Sequence, residues 1–143
     1  PTQHHLFLSW DDSIEIYPDN KAGDFTIELP QILSLEGKWV CALKDVKYSS
    51  QNIEYPISDS VYVCCDIVQD SIFRNTKLPI LRRCAVYDNE DTIEEIFGDP
   101  YYIEISRDQI HKIRIYIKDK FLNTVLFKSN ILECTLHLLK QQQ

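Results

Sequence analysis

Side chains able to do chemistry are few in this chain, and they are scattered. There are four histidines, His4, His5, His111 and His137. Nucleophilic catalysis needs a hydroxyl or thiol beside a base, with a third group orienting that base. No Gly-x-Ser-x-Gly elbow, phosphate-cradling Walker loop or His-Glu-x-x-His pair occurs. His4 and His5 are neighbours, and neighbours on a strand point to opposite faces, so they cannot chelate one ion together. Asp11-Asp12 offers carboxylates of the kind Ca²⁺ takes, but no nearby loop supplies the remaining ligands. The pair reads as a solvated turn. Asp88-Asn89-Glu90-Asp91, with Glu94 and Glu95, is an acidic cluster, and paired carboxylates do acid–base work only beside a pocket. A short helix predicted over 91–97 accounts for the acidic residues at its first turn through the macrodipole. His137 alternates outward from Leu136 and Leu138 and reads as a surface or interface histidine. The expectation is therefore a chain that is not an enzyme, with no catalytic residue, no cofactor and no metal site.

The five cysteines are Cys41, Cys64, Cys65, Cys84 and Cys134. Their number is odd, no Cys-x-x-Cys occurs, and most lie in apolar runs, where a free thiol behaves as a small hydrophobe. Cys41, Cys65 and Cys134 are expected to be buried and free. Thr2 to Trp10 lacks the basic flank and long apolar stretch of a secretory leader. No run approaches the roughly 20 apolar residues of a membrane span. Together these give the expectation of a reduced, intracellular site of synthesis and no membrane span. The absence of Met fits an initiator Met removed ahead of Pro1. A net charge of −7 repels a phosphate backbone, so direct nucleic-acid binding is not expected.

The elements that would position any site are strands. Apolar residues recur at every second position in Leu6-Leu8-Trp10, Phe25-Ile27-Leu29, Val61-Val63-Cys65-Ile67, Tyr101-Ile103-Ile105, Ile113-Ile115-Ile117 and Cys134-Leu136-Leu138. Period two puts each set on one face of a strand. Trp39 to Val46 is apolar on both faces, as a strand covered on both sides would be. Ile80 to Tyr87 is a further strand, which makes about eight. Tyr17-Pro18-Asp19-Asn20, Leu35-Glu36-Gly37-Lys38 and Gly98-Asp99-Pro100 are turns. Residues 1–143 show no linker or repeat and suit one domain. About eight short strands imply a sandwich or barrel. The surplus of aromatics, with eight Tyr and six Phe, suits both strand formation and interfaces. By alternation, Phe7, Tyr62 and Tyr116 are expected to point away from the core.

Four stretches taken together resemble one family. They are Tyr17-Pro18-Asp19-Asn20 running on to Phe25-Thr26-Ile27-Glu28-Leu29-Pro30, then Leu35-Glu36-Gly37-Lys38-Trp39-Val40-Cys41-Ala42-Leu43, then Ile113-Arg114-Ile115-Tyr116-Ile117-Lys118-Asp119, and Cys134-Thr135-Leu136-His137-Leu138. Their order and spacing resemble the penton, or minor capsid, proteins of Polinton/Maverick elements and of adintovirus-like or adomavirus-like DNA viruses. The likeness runs from about residue 6 to 139. The family carries an aromatic strand of the Tyr101-Tyr102-Ile103 kind. It also has a Gly-containing turn where this chain has Lys120-Phe121-Leu122-Asn123.

The resemblance implies an all-β fold, a single jelly-roll sandwich of about eight antiparallel strands in two sheets. It implies a structural virion protein, a homopentamer at the icosahedral vertex beside double-jelly-roll major capsid proteins. It would be made in the host cytoplasm and assembled in the nucleus. A ligand- or receptor-binding β-sandwich without enzymatic activity is the alternative. A cupin-like enzyme would need clustered His and Glu ligands, which His111 and His137 are too isolated to supply.

Overall fold

The computed structural model describes residues 7–10, 13–20, 23–49, 60–85, 92–125 and 132–141. Its strands are β1 (Phe7–Trp10), β2 (Ser13–Ile16), β3 (Asp19–Asn20), β4 (Asp24–Ser34), β5 (Trp39–Ser49), β6 (Ser60–Cys65), β7 (Ser71–Phe73), β8 (Thr76–Leu78), β9 (Ile80–Ala85), β10 (Thr92–Ile96), β11 (Ile103–Glu104), β12 (Gln109–Asp119) and β13 (Leu132–Lys140). The first sheet runs β1-β2-β13-β5-β10, with β3 paired to β13 and β11 to β5. The second runs β4-β12-β6-β9, and β7-β8 is a separate hairpin. All pairings between strands are antiparallel.

The fold is an all-β sandwich, and its pairing has a simple logic. Among the eight principal strands, the first in sequence pairs the last (β2 with β13) and the second pairs the second from last (β4 with β12). The third pairs the sixth (β5 with β10) and the fourth pairs the fifth (β6 with β9). The chain is thus one long antiparallel ribbon, rolled so that successive rungs fall alternately in the two sheets. Each sheet turns one face inward. One cluster of buried side chains spans both, including Ile16, Leu43, Leu136 and Leu138 from the first sheet with Ile27, Val63, Ile113 and Ile115 from the second. Burying a side chain of this size contributes about 1.5–3 kcal/mol each. Trp39 is buried with them, and its indole N–H donates to the Glu36 carbonyl at 3.0 Å. That contact closes the turn at Gly37, whose φ of +87° favours glycine.

The alternation expected of β4, β6, β12 and β13 holds at its apolar positions. β5 lies inside the first sheet, and Val40 and Ala42 on its outer face are buried too, as its two-sided apolar pattern foretold. The helix expected over 91–97 is overturned. Thr92–Ile96 is a strand, with Ile93 opposite Tyr48 and Glu95 opposite Val46. Pairing with the far half of β5 lets Ile93 enter the core, which a single helical turn could not offer, and this outweighs local capping. Tyr101, expected inward, is 65% exposed, while Ile103 and Ile105 pack toward the core.

Candidate interaction surfaces

The five cysteines all lie among the described residues, buried and in no disulfide. Burial raises the thiol pKa of Cys41, Cys64, Cys65 and Cys84 and holds them protonated, the last three pushed up to about 12. None is placed to act as a nucleophile. Among the described residues, no group of three or more His, Cys, Asp or Glu is arranged to hold a metal ion, and no helix is long and apolar enough to cross a membrane. His4, His5, Asp11, Asp12 and the run 88–91 lie outside the described residues. His111 stands exposed, 3.4 Å from the Glu28 carboxylate.

The most organised polar constellation is on the outer face of the first sheet, around His137. The pairing of β13 with β2 and β5 sets His137 opposite Glu15 and Ala42. Its Nε2 lies 2.7 Å from the Ser13 hydroxyl and its Nδ1 2.7 Å from the Tyr102 hydroxyl. A neutral imidazole has one donor and one acceptor nitrogen, so it satisfies both hydroxyls at once. Burial, then the nearby Lys44 ammonium, pushes its pKa below the ordinary value, which favours that neutral form. Burial likewise raises the Tyr102 phenol. Ser13, His137 and Tyr102 have a relay's order, and their contacts tie β2 and β13 to the segment before β11. Sequence reading placed His137 outward correctly. It missed Ser13 and Tyr102, because neither is near His137 in the chain.

The outer face of the second sheet is organised differently. Tyr62 and Tyr116 are on it, as alternation predicts, yet neither is a bare aromatic. Tyr116 is only 7% exposed. It lies with the Arg114 guanidinium 4.4 Å and the Lys118 ammonium 5.7 Å from its ring centre, and burial pushes its phenol up to about 12. Tyr62 is covered by Phe73 of the β7-β8 hairpin, the ring centres 4.5 Å apart. The hairpin turns through Arg74 (φ 51°) and Asn75 (φ 62°), the two left-handed residues of a type I′ turn. Arg74 also approaches Phe121, at 5.8 Å. The third aromatic expected to point outward, Phe7, pairs in register with Ile16, and its side chain lies outside the described residues.

Charge on the two outer faces is unequal. On the second sheet, Lys112, Arg114 and Lys118 alternate along β12, Arg83 stands opposite Tyr62, and the hairpin adds Arg74 and Lys77. Asp24, Glu28 and Asp66 answer only part of this. Arg114 holds Asp24 through two bonds of 2.9 and 2.6 Å, which lowers the Asp24 carboxyl below its ordinary range. On the first sheet the balance reverses. Glu94 and Glu133 flank Lys47 in register, and Glu15, Asp45 and Glu104 lie along the same face with Lys44, which reaches Glu15, and Lys38, which reaches Glu104.

A cleft of about 710 Å³ opens between β9, the start of the hairpin and the segment 99–103. Arg82, Asp70, Asp99 and Tyr101 are among its lining residues. Arg82 stacks over Phe97 at 4.1 Å and donates to the Asp99 carbonyl at 3.3 Å. No family model matches this chain, and no curated protein matches it in sequence.

Proposed function

We propose that the chain is a structural capsid protein, the penton subunit that forms the pentameric vertex capsomer of an icosahedral shell beside double-jelly-roll major capsid proteins. The observation that carries this reading is the rolled-ribbon pairing, first strand with last and so inward to β6 with β9. That pairing supports a single jelly roll, two Greek keys wound into two facing sheets, and with it the family resemblance of the four sequence stretches. A vertex subunit needs a rigid scaffold with two different contact patches, since a ring closes through heterologous contacts. The chain's place would be the virion, after synthesis in the host cytoplasm and assembly in the nucleus. Negative-stain class averages of the purified protein should show rings with fivefold symmetry. A uniform field of monomers, or rings of even order, would contradict the reading.

A second reading, a ligand- or receptor-binding module, is favoured by the cleft. There the exposed Tyr101 ring stands beside Arg82, Asp70 and Asp99, the aromatic platform with convergent polar groups that a carbohydrate requires. A glycan array is its test: binding that Tyr101→Ala removes would support it, and a blank array would count against it.

A further inference from the structure

We infer that neighbouring copies of this chain meet face to back, the outer face of the second sheet of one copy lying against the outer face of the first sheet of the next. This rests on the capsid reading and specifies its contact. Three observations support it. First, the molecule is polarised. Although the chain carries −7 overall, among the described residues basic side chains outnumber acidic ones on the second sheet's outer face, and acidic ones outnumber basic ones on the first's. The faces of a sandwich look in opposite directions, so the two surfaces complement each other only between copies. Second, each face presents a large exposed apolar side chain of the kind that anchors an interface. Ile96 of β10, on the same side as Glu94, is 78% exposed, and Ile72 of the hairpin is 75% exposed. Third, two different patches on opposite sides give the heterologous contact that closes a ring, whereas a twofold dimer would set like charge against like. Complementary faces of this kind steer encounter and fix register, while the apolar anchors supply affinity.

The test is a charge exchange read by light scattering on the full chain, at low and at high salt. Variant one, Lys77→Glu with Lys112→Glu, reverses part of the basic face. Variant two, Glu94→Lys with Glu133→Lys, reverses part of the acidic face. All four residues are exposed, and circular dichroism checks that each variant folds. Each variant alone should weaken self-association by about a hundredfold, because like charges then meet. A chain with all four changes restores opposite signs at every contact and should form the wild-type ring again. An equimolar mixture of the two variants should pair but fail to close the ring. Attractive contacts then require strict alternation of the two, which an odd-numbered ring forbids. Pentamers that survive both reversals overturn this contact while leaving the capsid reading standing. A chain monomeric at high concentration overturns both. If the lysine reversals abolish binding to single-stranded DNA and leave self-association unchanged, the basic face serves nucleic acid and the inference is overturned.

Discussion

The ring of Phe73 lies 4.5 Å from the ring of Tyr62, tilted by 42°. Through that contact the β7-β8 hairpin covers part of the outer face of the second sheet, where Cys64 is fully buried. A tyrosine placed outward by alternation is therefore already partnered within the chain. An aromatic pair is worth about 0.5–1.5 kcal/mol beyond its buried area. Phe73→Ala should release the hairpin while the sandwich stays folded. Trypsin cleavage after Arg74 should accelerate, with the melting temperature almost unchanged. A cleavage rate equal to wild type would show that the hairpin is held by something else.

Tyr116 differs from Tyr62, because its burial comes from the sheet itself and the cations on either side. Tyr116→Ala should destabilise the monomer by about 3 kcal/mol, visible as a lower urea midpoint. An unchanged midpoint would mean that the ring is dispensable to the fold.

The turn after β12 holds a non-glycine residue in the left-handed region, Leu122 at φ 71°. The Asp119 carboxylate steadies it, accepting the backbone N–H groups of Phe121 and Asn123 at 2.9 Å each. Left-handed backbone costs about 1–2 kcal/mol for a residue with a Cβ. Leu122→Gly should keep or raise stability. Asp119→Ala should lower it by about 1–3 kcal/mol, since two donors lose their acceptor. Denaturant unfolding of the two variants checks the pair, and the opposite ranking would refute this account of the turn.

Much of the molecule is legible in the sequence because burial is periodic. Ile113, Ile115 and Ile117 announce their face, as do Cys134, Leu136 and Leu138. Four features are not legible there, each for a physical reason. The segment of β10 resembles a helix in sequence because its capping signals are local, whereas its partner, β5, is about 45 residues away in the chain. Alternation put Tyr62, Cys64 and Tyr116 on the outer face but carries no information about a hairpin laid over it. The Glu94–Lys47–Glu133 row is assembled from three strands remote in sequence, so no window along the chain displays it. The Ser13–His137–Tyr102 constellation was hidden in the same way.

His137 gives a pH dependence whose sign follows from burial. Its folded pKa lies below the ordinary imidazole value of 6.5. As pH falls through 6.5 the unfolded chain takes up a proton that the folded ring resists. The unfolded state then binds more protons, so stability is full above that value and declines below it. Histidine NMR should find His137 titrating below 6.5, and His137→Gln should flatten this part of the stability curve. A His137 that titrates above 6.5 would reverse the sign.

The buried thiols should be silent in the native protein. With pKa values near 12 for Cys64, Cys65 and Cys84, almost no thiolate exists at neutral pH, and alkylation needs the thiolate. Iodoacetamide should modify none of the five in the folded protein and all five in denaturant without reductant. Fewer than five after denaturation would reveal a disulfide.

The central claim is assembly into a ring of five. Light scattering on the purified chain, measured across a concentration series at low salt, tests it most directly. The account predicts a plateau at five times the 16.8 kDa chain mass. A mass that stays at one chain throughout, or settles at two or four, would contradict it.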